Sequence, residues 1–208
     1  MTTLLLDCTH GSTKDGFAKA CEGLVGHRVF QPADLGAAHQ HQGSGEGHHH
    51  HHHSLQEVQE AICASGVTPR AQRYAQGVYD LLARAEAKAH GVSVDKVHFH
   101  EVGSAEAVGF VLRACAAMDV LGPQRVLATP VCTGFGHVDC AHGRLPIPAP
   151  ATANVLEGVP VFAGPEEGEL TTPTGAALVV YFAEEFMDEA AAKAQADVTM
   201  LCNPGKVS

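Results

Sequence analysis

"TTLLLDCTHGSTKDGFAKACEGLVG", residues 2–26, is the stretch whose reading decides the fold. Its leucines form a short apolar run that reads as a buried strand ending at Asp7, after which Gly11 turns the chain. Residues 14–26 then carry helix-forming spacing, with Gly26 near the end. A strand, a loop bearing an acid and a glycine, and then a helix make the α/β unit in which ligands sit at strand carboxyl ends. The expectation is α/β: a single mixed α/β domain. Asp7 and Asp15, either side of Gly11, can hold a cation or a ribose; equally they can be a turn acid and a helix-start acid.

Outward from this unit, residues 36–53, "GAAHQHQGSGEGHHHHHH", have no apolar periodicity and are expected to form a mobile histidine-rich loop. Ser54 followed by Glu57 is a capping box that opens the next helix. Thr68 and Pro69 open another, with Tyr74, Val78, Leu81, Leu82 and Ala85 as its apolar stripe and Gly91 as its stop. "KVHFH" reads as extended, and Ser104 caps a helix ended by Gly122-Pro123. Beyond it the chain is strand-like to Cys132, helical from about Ala149, and briefly extended at "VPVFAG". Thr172 and Pro173 then begin a final long helix, and no internal repeat is visible.

The 208 residues suit one domain, or at most two small ones, and can bury a core without staples. A formal net charge of −10, with 13 Lys+Arg and no dense basic run, argues against nucleic acid as a partner. Seven cysteines without a CxxC pair read as reduced thiols of a cytoplasmic protein. The apolar start is too short for a secretory signal, and no stretch approaches a membrane span.

Three constellations carry chemistry. In His98-Phe99-His100 the alternation of a strand puts both imidazoles on one face, where they can chelate nickel, zinc or cobalt. Glu101 can add an oxygen ligand or orient a ring; the competing reading is a hydrogen-bonded strand end. "CTGFGHVDCAHG" offers Cys132, His137, Cys140 and His142 as thiolate and imidazole donors, although the spacing matches no closed zinc knuckle and cysteines are often simply buried. "TTPTG", with Thr171, Thr172, Thr174 and Gly175, reads either as a helix start exposing N–H groups to a phosphate or as a plain capped helix. The run His48, His49, His50, His51, His52 and His53 reads either as an inserted purification tag or as a native metal-loading loop.

"AEAKAHGVSVDKVHFHEVGS", "CAHGRLPIPAPATANVLEGVP" and "ELTTPTGAAL" resemble, in order, three signature segments of the LarC family of nickel-insertion proteins. The resemblance is good from about Tyr74 to Leu178 and weaker over the N-terminal unit. It implies that residues 1–208 are a LarC-like N-terminal domain. It also implies a nickel chelatase or insertase of the lyase class, acting on a pyridinium-3,5-bisthiocarboxylic acid mononucleotide. The product would be the nickel-pincer cofactor of lactate racemase-type enzymes, with the apo nickel-pincer enzyme as recipient. His98, His100 and Glu101 would then be the transfer site. Cys140 and His142 would assist a soft site, and Asp7, Asp15, Thr172, Thr174 and Gly175 would contact the substrate. The histidine run would be a native nickel collector.

The chain departs from the family in two motifs, and its stretch between Gly26 and the histidine loop is much shorter than is usual there. "GSTKDG" stands where the family has "GxSGDM", placing Lys14 and Gly16 at positions usually held by glycine and methionine. Glu106 and Phe110 stand where two aspartates are usual. The family's CTP-binding C-terminal half is not among these residues, so CTP use by this chain alone is not expected, and a separate C-terminal chain is a possible partner. The alternative function is a non-catalytic nickel or zinc storage protein or metallochaperone. A metal-dependent hydrolase using the HxH pair is a third reading, disfavoured by the chain's size.

Overall fold

The computed structural model describes residues 2–27, 30, 53–140 and 143–203. In chain order the strands and helices begin with β1 (Thr3–Asp7), α1 (Lys14–Val25), β2 (His53–Ser54), α2 (Leu55–Ala64), α3 (Pro69–His90), β3 (His98–Phe99) and α4 (Ala105–Leu121). There follow β4 (Arg125–Ala128), β5 (Val131–Cys132), β6 (Gly134–Phe135), β7 (His137–Cys140), β8 (Gly143–Pro146), α5 (Pro150–Val155), β9 (Val161–Phe162) and β10 (Gly168–Glu169). The last are α6 (Pro173–Phe182), β11 (Glu185–Phe186), α7 (Glu189–Gln195) and β12 (Val198–Leu201). The α/β class read from the first strand and helix holds.

The centre is a parallel sheet in the order β11-β4-β1-β12. Because successive side chains of a strand face opposite ways, β1 feeds two layers. Leu4 and Leu6 enter the main core with Phe17 of α1 and Val111 of α4, while Leu5 packs with Leu127 and Ala192 beneath α7. Helices therefore cover both faces, as a buried parallel sheet requires. Among the described residues no helix is long and apolar enough to cross a membrane.

Local chemistry sets the helix boundaries. Thr13, Ser54, Thr68, Ser104 and Thr172 each accept a backbone N–H as N-cap, and Ser54 with Glu57 forms the full capping box. The end of the chain differs from the expectation of one final long helix. α6 stops at Phe182, and Glu184 N–H turns to Val126 O as the chain enters β11. α7 and β12 follow, and β12 supplies the edge that pairs with β1. The expected loop over residues 36–53 lies mostly outside the described residues, but its last member, His53, is in β2 and pairs with Phe99 of β3.

The start of α3 is tied to the end of α4 through Asp119. This carboxylate accepts from Thr68 Oγ1 and Arg70 Nε, and Arg70 also donates to the Asp119 carbonyl at 2.7 Å. Burial pushes the Asp119 carboxyl up, but the hydrogen bonds from Thr68 and Arg70 outweigh it and hold it below its ordinary value. A depressed carboxyl stabilises the fold fully above its unfolded pKa and loses that contribution as pH falls through the folded one. Asp119→Ala is expected to lower stability by about 1–3 kcal/mol at neutral pH. The deficit relative to the parent chain should shrink in acid melts; a pH-independent deficit would mean that Asp119 acts through packing alone.

Candidate functional site

The segment bearing His98, His100 and Glu101 is held from behind. Phe99 is buried and meets the Tyr79 ring edge-on at 5.8 Å, while Tyr79 Oη donates to Val102 O at 2.8 Å. Gly103 completes the clamp, since a Cβ there would come within 2.6 Å of Phe99 Cβ and 2.9 Å of His53 Cβ. The alternation expected of a strand lasts only through Phe99. His100 already has φ −90° and ψ −99°, and Glu101 begins a single 3-10 turn leading to Ser104 and α4.

That break gives the two histidines different surroundings. His98 and His100 both border an outer recess with His90 and Lys96. His100 and Glu101 also border an inner cavity of about 320 Å³. The β7–β8 hairpin brings Asp139 and Cys140 to this cavity, β10 brings Glu169, α3 brings Glu86 and His90, and the start of α6 brings Thr172 and Thr174. Cys140 Sγ donates to Gly143 O at 3.4 Å across the hairpin turn. His142 and residues 48–52 lie outside the described residues.

Among the described residues, no three His, Cys, Asp or Glu side chains stand close enough together to hold a metal ion in this arrangement. The cavity therefore presents dispersed donors of several kinds rather than a closed cage.

Other expected contributors do not join the cavity wall. Asp7 is buried at the end of β1, where its carboxylate accepts from Thr9 N–H and Oγ1 at 3.1 and 2.6 Å and lies 3.7 Å from Lys193 Nζ. Asp15 pairs with Lys19 at 3.3 Å; burial works to raise its carboxyl, and hydrogen bonds from Thr13 and Lys19 bring it below the usual range. Cys132 is buried with Sγ donating to Ala163 O at 3.6 Å, apart from Cys140. Gly175 serves packing: a Cβ there would meet Ser12 O at 2.0 Å.

The start of α6 is largely self-satisfied. Thr172 N–H donates to Ser12 O at 3.0 Å, Pro173 has none to give, and Gly175 N–H donates to Thr172 Oγ1 at 3.3 Å. Thr174 is left as the first-turn N–H not spent on capping.

Glu169 and Lys14, to which the motifs gave no donor role, line the cavity, as do Glu86, His90 and Asp139. Glu169 is half-buried, and burial, then the nearby Glu101 carboxylate, pushes its carboxyl above the ordinary value. It opens the segment "ELTTPTGAAL", so its signal was adjacency to the capped helix. Among the described residues Lys14 is the only Lys or Arg in the wall, and its Nζ lies 6.0 Å from the centroid of Phe110.

The cavity of this α/β domain thus gathers imidazole, thiol and carboxylate groups beside a lysine and a helix start. The chain belongs to the family described as nickel insertion protein, whose model matches residues 7–199. A pyridinium-3,5-bisthiocarboxylic acid mononucleotide nickel insertion protein of Desulfitobacterium hafniense (strain DSM 10664 / DCB-2) is 42% identical over 132 residues, covering 64% of this chain and 33% of that protein. A putative nickel insertion protein of Citrifermentans bemidjiense is 44% identical over 129 residues, covering 62% of this chain and 34% of the relative. The chain thus spans about a third of the length of the curated relatives it matches. No solved structure matches it.

Proposed function

We propose that this chain is the ion- and substrate-handling part of a nickel insertase that loads Ni²⁺ into a pyridinium-3,5-bisthiocarboxylic acid mononucleotide. The observation that carries this is convergence. His100 and Glu101 of one family segment, Cys140 of a second, and Thr172 and Thr174 of a third border one cavity.

Nickel is a substrate here. An insertion site must release its ion, so a few dispersed donors suit it better than the closed four-ligand shell of a structural site. Imidazole and thiolate are ligands nickel accepts, and the mononucleotide's own sulfur atoms complete the shell as the ion leaves the protein. In this reading His98 and His100 receive the ion at the outer recess, and His100, Glu101 and Cys140 present it inside. His142 and the histidines at 48–53 are assigned as further nickel donors. Asp7 and Asp15 contribute by fixing the loop between β1 and α1, and Gly175 by letting α6 start against Ser12. The reaction is a chelation of the lyase type. We assign the ion and the mononucleotide to this cavity, and not CTP; the remaining length of the relatives and the apo nickel-pincer enzyme are the natural partners.

The test is native mass spectrometry of the chain mixed with Ni²⁺ and the bisthiocarboxylated mononucleotide. A nickel-bearing mononucleotide, bound or released, is expected only when all three are present. Nickel uptake with no mononucleotide adduct would replace this reading with that of a storage protein or metallochaperone.

A further inference from the structure

We propose that Lys14 binds the phosphate of the mononucleotide and so sets which way round the substrate enters the cavity. This rests on the reading above and deepens it by assigning a substrate contact to a residue of this chain.

Lys14 is the first residue of α1, directly after the N-cap Thr13. A cation is disfavoured there, because the N-terminus of a helix already carries partial positive charge. α6 starts alongside: Ser12 bridges Thr171, and Thr172 N–H donates to Ser12 O. Two helix starts therefore meet beside one ammonium group. Asp15 in the same turn is engaged by Thr13 and Lys19, and among the described residues Lys14 has no ion pair.

The Phe110 ring is what holds the side chain. Lys14 Nζ sits 6.0 Å from its centroid, and the Arg113 guanidinium, itself paired with Glu22, sits 5.0 Å from the same ring. A cation over an aromatic face gains a modest attraction and keeps its charge available. Positive charge thus gathers where fold stability would favour an acid. A local preference set aside in this way is expected at functional or strained positions.

The rest of the wall gives the direction. Among the described residues Glu86, Glu101, Asp139 and Glu169 are its acids, and Lys14 is its one permanent cation. A dianionic phosphate is repelled by those acids and attracted to Lys14, whose neighbours Thr172 and Thr174 add a hydroxyl and an N–H. With the phosphate at Lys14, the sulfur-bearing ring is directed toward His100, Glu101 and Cys140.

The experiment compares calorimetric binding of two probes to the full 208-residue chain. One is the mononucleotide of pyridine-3-carboxylic acid; the other is the corresponding riboside, which lacks the phosphate. Lys14→Gln is expected to weaken the mononucleotide on the order of 10- to 100-fold and leave the riboside within about twofold, as loss of one charge-assisted contact implies. Lys14→Arg should restore most of the loss. Thermal melting of Lys14→Gln should be unchanged or improved, since a disfavoured cation has been removed. Equal weakening of both probes, no weakening of either, or a markedly lower melting temperature would overturn the assignment. If the parent chain binds neither probe, the substrate class fails and this inference with it. If the parent binds both and Lys14→Gln binds both alike, only the role of Lys14 is lost.

Discussion

Glu22→Ala is expected to lower the stability of the fold by about 3–5 kcal/mol, the range found when one partner of a buried ion pair is removed. Glu22 and Arg113 join α1 to α4, with side chains only 11% and 8% exposed. The guanidinium meets the carboxylate with two nitrogens, Nε donating to Oε1 at 2.9 Å and Nη2 donating to Oε2. With Glu22 gone, Arg113 keeps its charge at any pH of interest, because a guanidinium does not titrate there. It is left without its bonded carboxylate, with the Phe110 ring at 5.0 Å and the Asp15 charge as its remaining neighbours. The penalty comes from that stranded charge, so removing both charges should hurt less. Glu22→Leu combined with Arg113→Met should be more stable than either single change, in urea melts with unchanged slope. A loss below about 1 kcal/mol for Glu22→Ala would place the pair among solvent-screened surface bridges and remove it as the lock between these helices.

Much of the fold was legible because its boundaries are written locally. A hydroxyl before a helix, a proline at the first position and a glycine after the last are short-range chemistry, and they marked α1, α2, α3 and α4 closely. The end of the chain was not legible in this way. "EAAAKAQADVTML" offers a run of good helix formers and then only four residues for a strand. β12 exists because β1 presents it with a ladder, from Leu4 opposite Val198 to Asp7 opposite Leu201, and nothing near residue 198 announces a partner near the start of the chain.

The site divides along the same line. His100, Glu101, Cys140, Thr172 and Thr174 were legible as motif residues and share the cavity. Asp7 and Asp15 looked equally available, but Thr9, Lys193 and Lys19 engage them, and the distant one of these cannot be read from spacing. Glu169 carried no spacing signal of its own. Lys14 was visible only as a departure from the family's pattern, and its meaning depends on α6 starting beside α1.

His100→Ala is expected to reduce nickel transfer to the mononucleotide on the order of 10- to 100-fold; even an outer partner of a metal ligand is worth that much. His98→Ala is expected to cost far less. The two would be equivalent if residues 98–100 stayed extended and formed a simple chelating pair. They do not stay extended: the chain leaves the strand after Phe99, so His98 borders the outer recess alone while His100 borders both that recess and the inner cavity. His90 and His100 both border the recess and the cavity, so an ion received at His98 would reach Glu101 and Cys140 past these two rings, of which His100 directly precedes Glu101 in the chain. His98→Ala should slow loading from dilute nickel and leave transfer from a preloaded chain nearly intact, whereas His100→Ala should impair both. The measurement separates the steps, using nickel titration of a chain lacking residues 48–52 for uptake and single-turnover transfer from the loaded chain for delivery. His53 is kept, because it pairs with Phe99 and its removal would disturb the segment under test. Equal losses for the two single variants would restore the chelating pair, and no loss in either would reduce the segment to a hydrogen-bonded strand end.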